Sequence, residues 1–462
     1  MIHHEDSIVA ISTPAGSGAL GVIRLSGGNA VSLVDAVFSK NIEKAEGYSL
    51  HYGHIIKGEG ILDEVLLSIF RAPRSFTKED VVEISCHGSP YILREVLDLL
   101  LDKGARLAKA GEFTQRAYLN GAMDLAQAEA VADLIASQSA AAHKLAMNQM
   151  RGGVSRELKN LRGQLLDFTS LIELELDFGE EDVEFADRSQ LEALIQEMLS
   201  KVGGLIESFR LGNALKQGVP TVIIGKPNAG KSTLLNALLQ DNRAIVSDIP
   251  GTTRDVIEDR VIIDGVEFRL MDTAGVRETE DIIEAEGVRR TLKLAQSAAL
   301  LIYLYDLQKE NPVEAAQYIR SLDLPSEVKI LSIGNKSDQL EDQLAYAQTH
   351  DNDIAGQYPW ILISAKEHSY LEGLKSLMIE AVNSFSDVSQ DQSLISNARH
   401  LMALKEAQKS LLEVQQAMQM GVSGDLLSID IRTVLHHIGE ITGEISNDEV
   451  LGNIFSKFCI GK

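Results

Sequence analysis

The chain predicts a multidomain protein of mixed α/β and α+β class, with a doubly wound, mostly parallel module inserted into a discontinuous helical bundle and an α+β domain in front of both. Three observations predict it. Apolar, strand-like runs ending at Gly225, Met271, Ile333 and Ile363 each lead into a loop motif, as strands of a parallel sheet do. Helical segments rich in strong helix formers lie on both sides of that block. The first 120 or so residues instead carry short strand-like runs separated by turn residues. The boundaries expected are 1–121 for the N-terminal domain, 122–216 and 386–462 for the two parts of the helical domain, and 217–385 for the inserted module. A doubly wound module can have its termini close together, so insertion between two halves of a bundle is geometrically easy.

Composition narrows the classes. The 462 residues suit roughly two to four domains, and 45% hydrophobic residues supply a sizeable core. The two cysteines, Cys86 and Cys459, support no disulfide framework and fit a reducing, cytoplasmic compartment. The start, Met1-Ile-His-His-Glu-Asp, lacks the basic and apolar regions of a signal peptide. The longest apolar run, Ala298-Ala-Leu-Leu-Ile-Tyr-Leu-Tyr305, is too short to span a bilayer, so no membrane role is expected. A formal net charge of −24 argues against the whole surface gripping nucleic acid. Any RNA contact must use a local basic patch or a more basic partner.

In the N-terminal domain, Ser7–Ile11, Gly21–Leu25, Glu64–Phe70 and Asp80–Ser85 read as strands, and Tyr91–Leu101 as a helix that stops at Lys103-Gly104. Gly16-Ser-Gly18-Ala-Leu-Gly21 matches the dinucleotide fingerprint, but the next run, Val22-Ile-Arg-Leu25, looks like a strand where the fingerprint needs a helix. A tight turn is the better reading. Cys86 and His87 are neighbours on a strand, so their side chains point to opposite faces and form no thiolate pair.

Helical character follows from Asp124 to Ile135, along the stripe Leu158, Leu161, Leu165, Phe168 and Ile172, and over residues 190 to 213. Asp177-Phe-Gly-Glu-Glu-Asp-Val-Glu184 interrupts it and lacks the EF-hand spacing, so it reads as a solvated acidic turn. Leu394–Met420 and Leu426–Ile441 are helical again. The ending Cys459-Ile-Gly-Lys462 has the outline of a prenylation box, but the final Lys and the absence of a polybasic run reject lipidation; a cysteine so close to the end suits a site.

The inserted module carries the chemistry. Thr221-Val-Ile-Ile-Gly-Lys-Pro-Asn-Ala-Gly-Lys-Ser-Thr233 is a strand, a glycine loop of the form Gly225-x-x-x-x-Gly230-Lys231-Ser232, and the start of a helix. Such a loop curls its N–H groups toward phosphate oxygens, and the helix N-terminus adds partial positive charge. Lys231 can reach the β- and γ-phosphates and Ser232 can hold Mg²⁺. Asp272-Thr273-Ala274-Gly275 ends a strand-like run, where the acid can hold Mg²⁺ through water and the Gly275 N–H can sense the γ-phosphate. Gly251-Thr252-Thr253-Arg-Asp255 falls where a mobile switch with a Mg²⁺-ligating Thr belongs. Asn335-Lys336-Ser-Asp338 offers a carboxylate to the N1–H and N2–H₂ edge of guanine, which adenine cannot match. Ser364-Ala365-Lys366 can present a backbone N–H to guanine O6. Together, in this order, these pieces make a GTPase domain.

With these motifs in place, the chain resembles the tRNA-modification GTPases that act with a flavoprotein partner on the wobble uridine. The resemblance covers essentially the whole length. It rests on Thr13-Pro-Ala-Gly-Ser-Gly18, Gly111-Glu-Phe-Thr-Gln-Arg-Ala-Tyr-Leu-Asn120, Asp124-Leu-Ala-Gln-Ala-Glu129, the GTPase motifs and the terminal Phe458-Cys-Ile-Gly-Lys462. It implies an N-terminal domain that binds tetrahydrofolate and dimerises, a helical domain and an inserted Ras-like GTPase domain. Folate-contacting positions fall on Arg24, Glu83 and Lys462, and on Ala122, where the family usually has Lys. Cys459 aligns with a cysteine the family needs for modification. Without the resemblance, Arg24 and Glu83 read as surface ion pairing.

The resemblance also bears on hydrolysis. Small regulatory GTPases orient the attacking water with a Gln after Asp-x-x-Gly; here that position is Val276. The family points to Glu284 for the water and to K⁺ in place of an arginine finger. Asn228 would be the side-chain ligand to K⁺, with Ser247, Ile249 and Thr252 completing the site, and Thr253 would join Ser232 on Mg²⁺. The expected GTP contacts therefore run over Asn228, Ala229, Gly230, Lys231, Ser232 and Thr233, then Ser247, Asp248, Ile249, Pro250, Gly251, Thr252 and Thr253, then Asp272 to Gly275 and the two guanine motifs. Partners implied are a second copy through the N-terminal domain, an FAD-dependent protein in a heterotetramer, and tRNA held mainly by that protein. The expected product is an aminomethyl or carboxymethylaminomethyl group on carbon 5 of uridine 34, with 5-formyl- or methylene-tetrahydrofolate as the one-carbon source. The alternative is a regulatory or assembly GTPase of the ribosome-maturation type whose flanking domains only bind partners.

Overall fold

The structure, a computed structural model, describes residues 6–177, 187–242, 258–271, 292–343, 346, 358–383, 394–446 and 448–461. The chain forms two compact units. One comprises Met1–Ala132, Met150–Leu166 and Leu435–Lys462, and the other Asp133–Gln149 and Asp167–Val434.

The first unit is built on β1 (Ile8–Ile11), β2 (Leu20–Ser26), β3 (Ser49–Lys57), β4 (Gly60–Phe70), β5 (Val81–His87) and β6 (Arg106–Leu107). They form one sheet in the order β3-β4-β5-β2-β1-β6, antiparallel except for the β1–β6 pair. Strand β4 shows the period of two that a half-buried strand requires: Val65, Leu67 and Ile69 are buried, whereas Glu64 and Leu66 are exposed. The buried face joins Ile23, Leu25 and Ile84 to Val31 and Val34 of α1 (Ala30–Asp35) and to Leu93, Val96 and Leu100 of α2 (Pro90–Asp102). On the other face Ile8 and Ala10 pack with Ala108 and with Phe113 of α3 (Glu112–Leu119). Because side chains alternate, Arg24 lies on this second face, between Ile23 and Leu25 of the first. The glycine-rich stretch from Gly16 to Gly21 runs directly into β2, so it is a turn and no dinucleotide site.

In the same unit, α4 (Leu125–Ala136) meets the last helix, which is α13 in chain order (Asp448–Phe455). Leu125 and Ala128 pack there on Leu451 and Phe455, with Tyr118 and Phe458 alongside. The Tyr118 hydroxyl donates to the Gly443 carbonyl at 2.5 Å.

The second unit holds β7 (Val219–Ile224), β8 (Glu258–Ile263), β9 (Val266–Met271), β10 (Leu300–Asp306), β11 (Lys329–Asn335) and β12 (Trp360–Leu362). Their order is β12-β11-β10-β7-β9-β8, parallel except for the β8–β9 hairpin. Every residue of β10 is buried, as a central strand covered on both faces must be. One cover includes α8 (Lys231–Asn242) and α10 (Leu371–Asn383), through Leu234, Leu238, Leu374 and Met378. The other includes α9 (Pro312–Ser321), through Ala315 and Ile319.

The remaining helices are α5 (Ala140–Met150), α6 (Gly153–Asp177), α7 (Arg188–Gln217), α11 (Ala398–Gln419) and α12 (Gly424–Thr442). Leu158, Leu161, Leu165 and Ile172 of α6 are fully buried, as their spacing predicts, whereas Phe168 of the same stripe is half-buried. Helix α11 begins later than the expected Leu394. Asn397 caps it, its side chain accepting the Arg399 N–H at 2.9 Å, and the residues before the cap stay extended. Among the described residues no helix is long and apolar enough to cross a membrane.

Candidate nucleotide site and the docked C-terminus

The phosphate loop joins β7 to α8. A Cβ on Gly225 would lie 2.0 Å from the Leu304 carbonyl oxygen, so only glycine lets the loop leave the sheet this close to β10. Gly230 has φ 100°, and a Cβ there would meet the Asn335 amide nitrogen at 2.3 Å. Asn228 sits between them in the left-handed region at φ 64°, with its side chain exposed. Ser232 and Thr233 are exposed in the first turn of α8. Lys231 Nζ donates to the carbonyls of Gly225 at 2.9 Å and Lys226 at 3.2 Å, which holds its ammonium at the loop. Loop, lysine and helix N-terminus together fit a nucleoside polyphosphate.

Asn335, at the end of β11, is 3% exposed and ties three loops together. Its Nδ2 donates to the Ala229 carbonyl at 2.7 Å, and its Oδ1 accepts the Ala365 N–H at 3.0 Å. Asp338 Oδ1 accepts the Ser364 hydroxyl at 2.6 Å, while the residue remains exposed to a ligand. Lys336, at φ 68°, donates to Asp306 Oδ2 at 2.6 Å. Burial raises the Asp306 pKa, but the Lys336 hydrogen bond, the Gln308 N–H and the neighbouring lysine charges outweigh it and hold the carboxyl below its ordinary value. In the Ser364–Lys366 loop, the Ala365 N–H is engaged by Asn335 and Ser364 Oγ accepts the Glu367 N–H at 3.2 Å. The expected contacts at Asn228–Thr233, Asn335, Lys336, Asp338 and Ser364–Lys366 thus converge on one end of the sheet. Ser247–Thr253, Asp272–Gly275, Val276 and Glu284 lie outside the described residues, as do Lys462 and the acidic stretch at 178–184.

The first unit holds the other candidate site. Arg24 and Glu83 are cross-strand partners on β2 and β5. Arg24 Nε donates to Glu83 Oε1 at 2.9 Å and Nη2 approaches the same oxygen at 2.7 Å. The guanidinium lies 5.6 Å from the Phe76 ring and 5.8 Å from the Phe113 ring, so it is flanked by π-faces as well as paired. Ala122 is exposed and brings no charge, but Lys78 Nζ donates to the adjacent Gly121 carbonyl at 2.6 Å. The terminal segment docks on this unit. Ser12 Oγ donates to the Gly461 carbonyl at 3.2 Å, and the Gly111 N–H reaches the Cys459 carbonyl at 3.4 Å. Cys459 remains exposed. By contrast, Cys86 is buried; burial and then the Asp63 charge push its thiol up to about 11. His87 faces outward and its ring pairs with Asp63 at 2.7 Å, so Cys86 and His87 do not meet.

Sequence reasoning missed Asp306 and Lys78; the terminal segment's approach to this unit agrees with the expectation that put Lys462 beside Arg24 and Glu83. A buried acid closing an apolar strand was the available signal for Asp306. Nothing local marks Lys78.

A mostly parallel sheet with a glycine loop between its first strand and helix, and an Asn–x–x–Asp loop stapled to it through the buried Asn335, defines a P-loop GTPase. The chain belongs to the tRNA modification GTPase family. The family profile described as "MnmE helical domain" matches residues 125–459, and that described as "GTP-binding protein TrmE N-terminus" matches residues 7–122. A relative from Cytophaga hutchinsonii, described as "tRNA modification GTPase MnmE", is 53% identical over 100% of this chain and 98% of its own length. Relatives with the same description from Flavobacterium psychrophilum and Bacteroides thetaiotaomicron are each 48% identical, over 100% and 99% of this chain and 100% of their own length.

Proposed function

We propose that this chain hydrolyses GTP in a tRNA-modifying complex that adds an aminomethyl or carboxymethylaminomethyl group to carbon 5 of wobble uridine 34. The observation that carries the reading is the Asn335 staple, which sets the phosphate loop and the guanine motif as one site on a member of a tRNA modification GTPase family. Lys231 and the loop amides hold the phosphates, and Asp338 reads the guanine edge. Asn228 and Ser232 are exposed at the loop and offer hard oxygen ligands, which suits K⁺ and Mg²⁺ respectively. Ser247, Ile249 and Thr252 would complete the K⁺ shell and Thr253 the Mg²⁺ shell. The cations supply positive charge against the phosphates. Glu284 orients the attacking water in place of the glutamine that Val276 lacks.

In this reading residues 1–121 bind the one-carbon tetrahydrofolate and dimerise, 122–216 and 386–462 form the helical domain, and 217–385 form the GTPase domain. Arg24 and Glu83 meet the folate, with Lys462. A guanidinium close to two aromatic rings suits the acidic tail or flat ring of a folate. Lys78 beside Gly121 supports a cation near the uncharged Ala122. The docking of Cys459-Ile-Gly461 on the same unit supports a modification site that uses the exposed thiol. The partners proposed are a second copy, an FAD protein and the tRNA it holds, in the cytoplasm. The net charge of −24 supports leaving most RNA contact to the partner.

The test is nucleoside analysis of tRNA from cells lacking this chain. Wobble uridines should lose the substituent and regain it when the wild-type chain is restored. Unchanged wobble uridines would overturn the reading and leave an assembly GTPase.

A further inference from the structure

Asp306, the last residue of β10, and Glu310, four residues on in the turn that follows, each face a lysine of a different nucleotide-binding loop. Asp306 holds Lys336 of the guanine motif at 2.6 Å. Glu310 Oε2 lies 3.1 Å from the Lys226 ammonium, in the phosphate loop, an ion pair by distance that lacks the geometry of a hydrogen bond. The turn is closed on itself, since the N–H groups of Lys309 and Glu310 donate to the Asp306 carbonyl at 2.9 and 3.0 Å. It is also tied to β11, because the Leu307 N–H donates to the Asn335 carbonyl at 3.2 Å. Glu310 is 3% exposed, and its other oxygen accepts the Tyr303 hydroxyl at 2.9 Å. The Lys226 side chain is 56% exposed, and its own carbonyl receives the Lys231 ammonium.

A carboxylate this deep costs several kcal/mol unless it is paired, and an apolar residue would pack the turn without that cost. Its pairing reaches out of the core to the residue that directly follows Gly225. The Lys226 ammonium is therefore held at the turn, while its carbonyl takes the Lys231 ammonium.

We propose that Glu310 is a positioning residue for GTP binding: through Lys226 it clamps the phosphate loop to the turn that also holds Lys336, so that both loops are set before nucleotide arrives. The inference rests on the GTP reading above and deepens it. A loop already ordered loses less freedom on binding, so the clamp acts on affinity. It acts alike on GDP and GTP, because what it orders is the loop and not a group that meets the γ-phosphate. Hydrolysis at saturating GTP does not depend on it.

The experiment uses the full chain and four variants: Glu310→Gln, Lys226→Met, their combination, and Lys226→Arg. Fluorescently labelled GDP and a non-hydrolysable GTP analogue report affinity, and phosphate release reports turnover. Each of the first two variants should weaken both nucleotides by on the order of tenfold, and the combination should be no weaker than either. Lys226→Arg should restore affinity, and turnover at saturation should stay within about twofold of wild type. Wild-type affinity in both single variants, losses that add in the combination, or a loss confined to turnover would each overturn the clamp. Glu310→Gln keeps the side-chain shape and the Tyr303 hydrogen bond, so it carries the test alone if Lys226→Met fails to fold. A wild-type chain that binds neither nucleotide would overturn the GTP reading itself, which is a different outcome.

Discussion

Asn335 donates to the carbonyl of Ala229 across 2.7 Å, and that hydrogen bond joins the guanine motif to the phosphate loop. The two residues are brought together by a parallel sheet in which β10 lies between β7 and β11. Asn335→Ala leaves the Ala229 carbonyl and the Ala365 N–H without this partner in a buried place. The expected cost is about 1–3 kcal/mol of stability, with a marked loss of nucleotide affinity. Thermal unfolding with and without GTP measures both. A variant that keeps the stabilising effect of GTP would show that the staple is dispensable.

The base should be read by Asp338. One carboxylate oxygen already accepts the Ser364 hydroxyl, which fixes the group in place. Asp338→Asn should weaken GTP by roughly ten- to a hundredfold, the worth of hydrogen bonds to a charged acceptor, and raise relative binding of xanthosine triphosphate. Competition between the two nucleotides decides it, and an unchanged preference for GTP rules the assignment out.

Gly225 tests the packing that shapes the loop. A methyl group there collides with the Leu304 carbonyl at 2.0 Å, and neither backbone can yield without disturbing β10. Gly225→Ala should lower stability by about 1–3 kcal/mol or more, the range for overpacked sites, and abolish GTP binding. An unchanged melting temperature would contradict the packing described.

The N-terminal site should bind a formyl- or methylene-tetrahydrofolate through Arg24. Arg24→Ala removes the partner of Glu83 and the cation over Phe76 and Phe113. Folate binding, followed by calorimetry on the full chain, should fall while GTP affinity is kept. Deletion of Lys462 should do the same. Ala122→Lys should tighten folate or leave it unchanged, and a large loss would mean that the pocket is built otherwise.

Potassium should accelerate hydrolysis over sodium. Asn228 has φ 64°, so alanine would add backbone strain to the loss of the ligand. Asn228→Gly separates the two and should abolish the difference between K⁺ and Na⁺ while GTP still binds. Glu284→Ala should slow turnover in K⁺. Equal wild-type rates in the two salts would remove the cation and turn attention to Arg254 and Arg277.

Much of this site was legible before folding was considered. The phosphate loop, the Asn335–Asp338 loop and the strands that end at them are local patterns, because a glycine turn and a buried strand are each specified by neighbouring residues. The alternation of β4 and the stripe of α6 were readable for the same reason. Edge strand β3 was not: its sequence, Ser49-Leu-His-Tyr-Gly-His-Ile-Ile-Lys57, mixes polar residues with exposed Leu50 and Tyr52, so no clean period of two appears. Helix α3 was hidden by its eight residues, too few for a periodic signal.

The amino-acid order alone set which residue types stand at each loop, because charge, hydrogen-bonding edges and glycine geometry belong to the residues themselves. Tertiary structure alone decided their partners. Asp306 found Lys336, Glu310 found Lys226, Arg24 found Glu83, and Gly461 came to rest against Ser12, 449 positions away in the chain. Such pairings depend on strand order and register, and a register is set by burying one whole face of a sheet rather than by any residue in the pair.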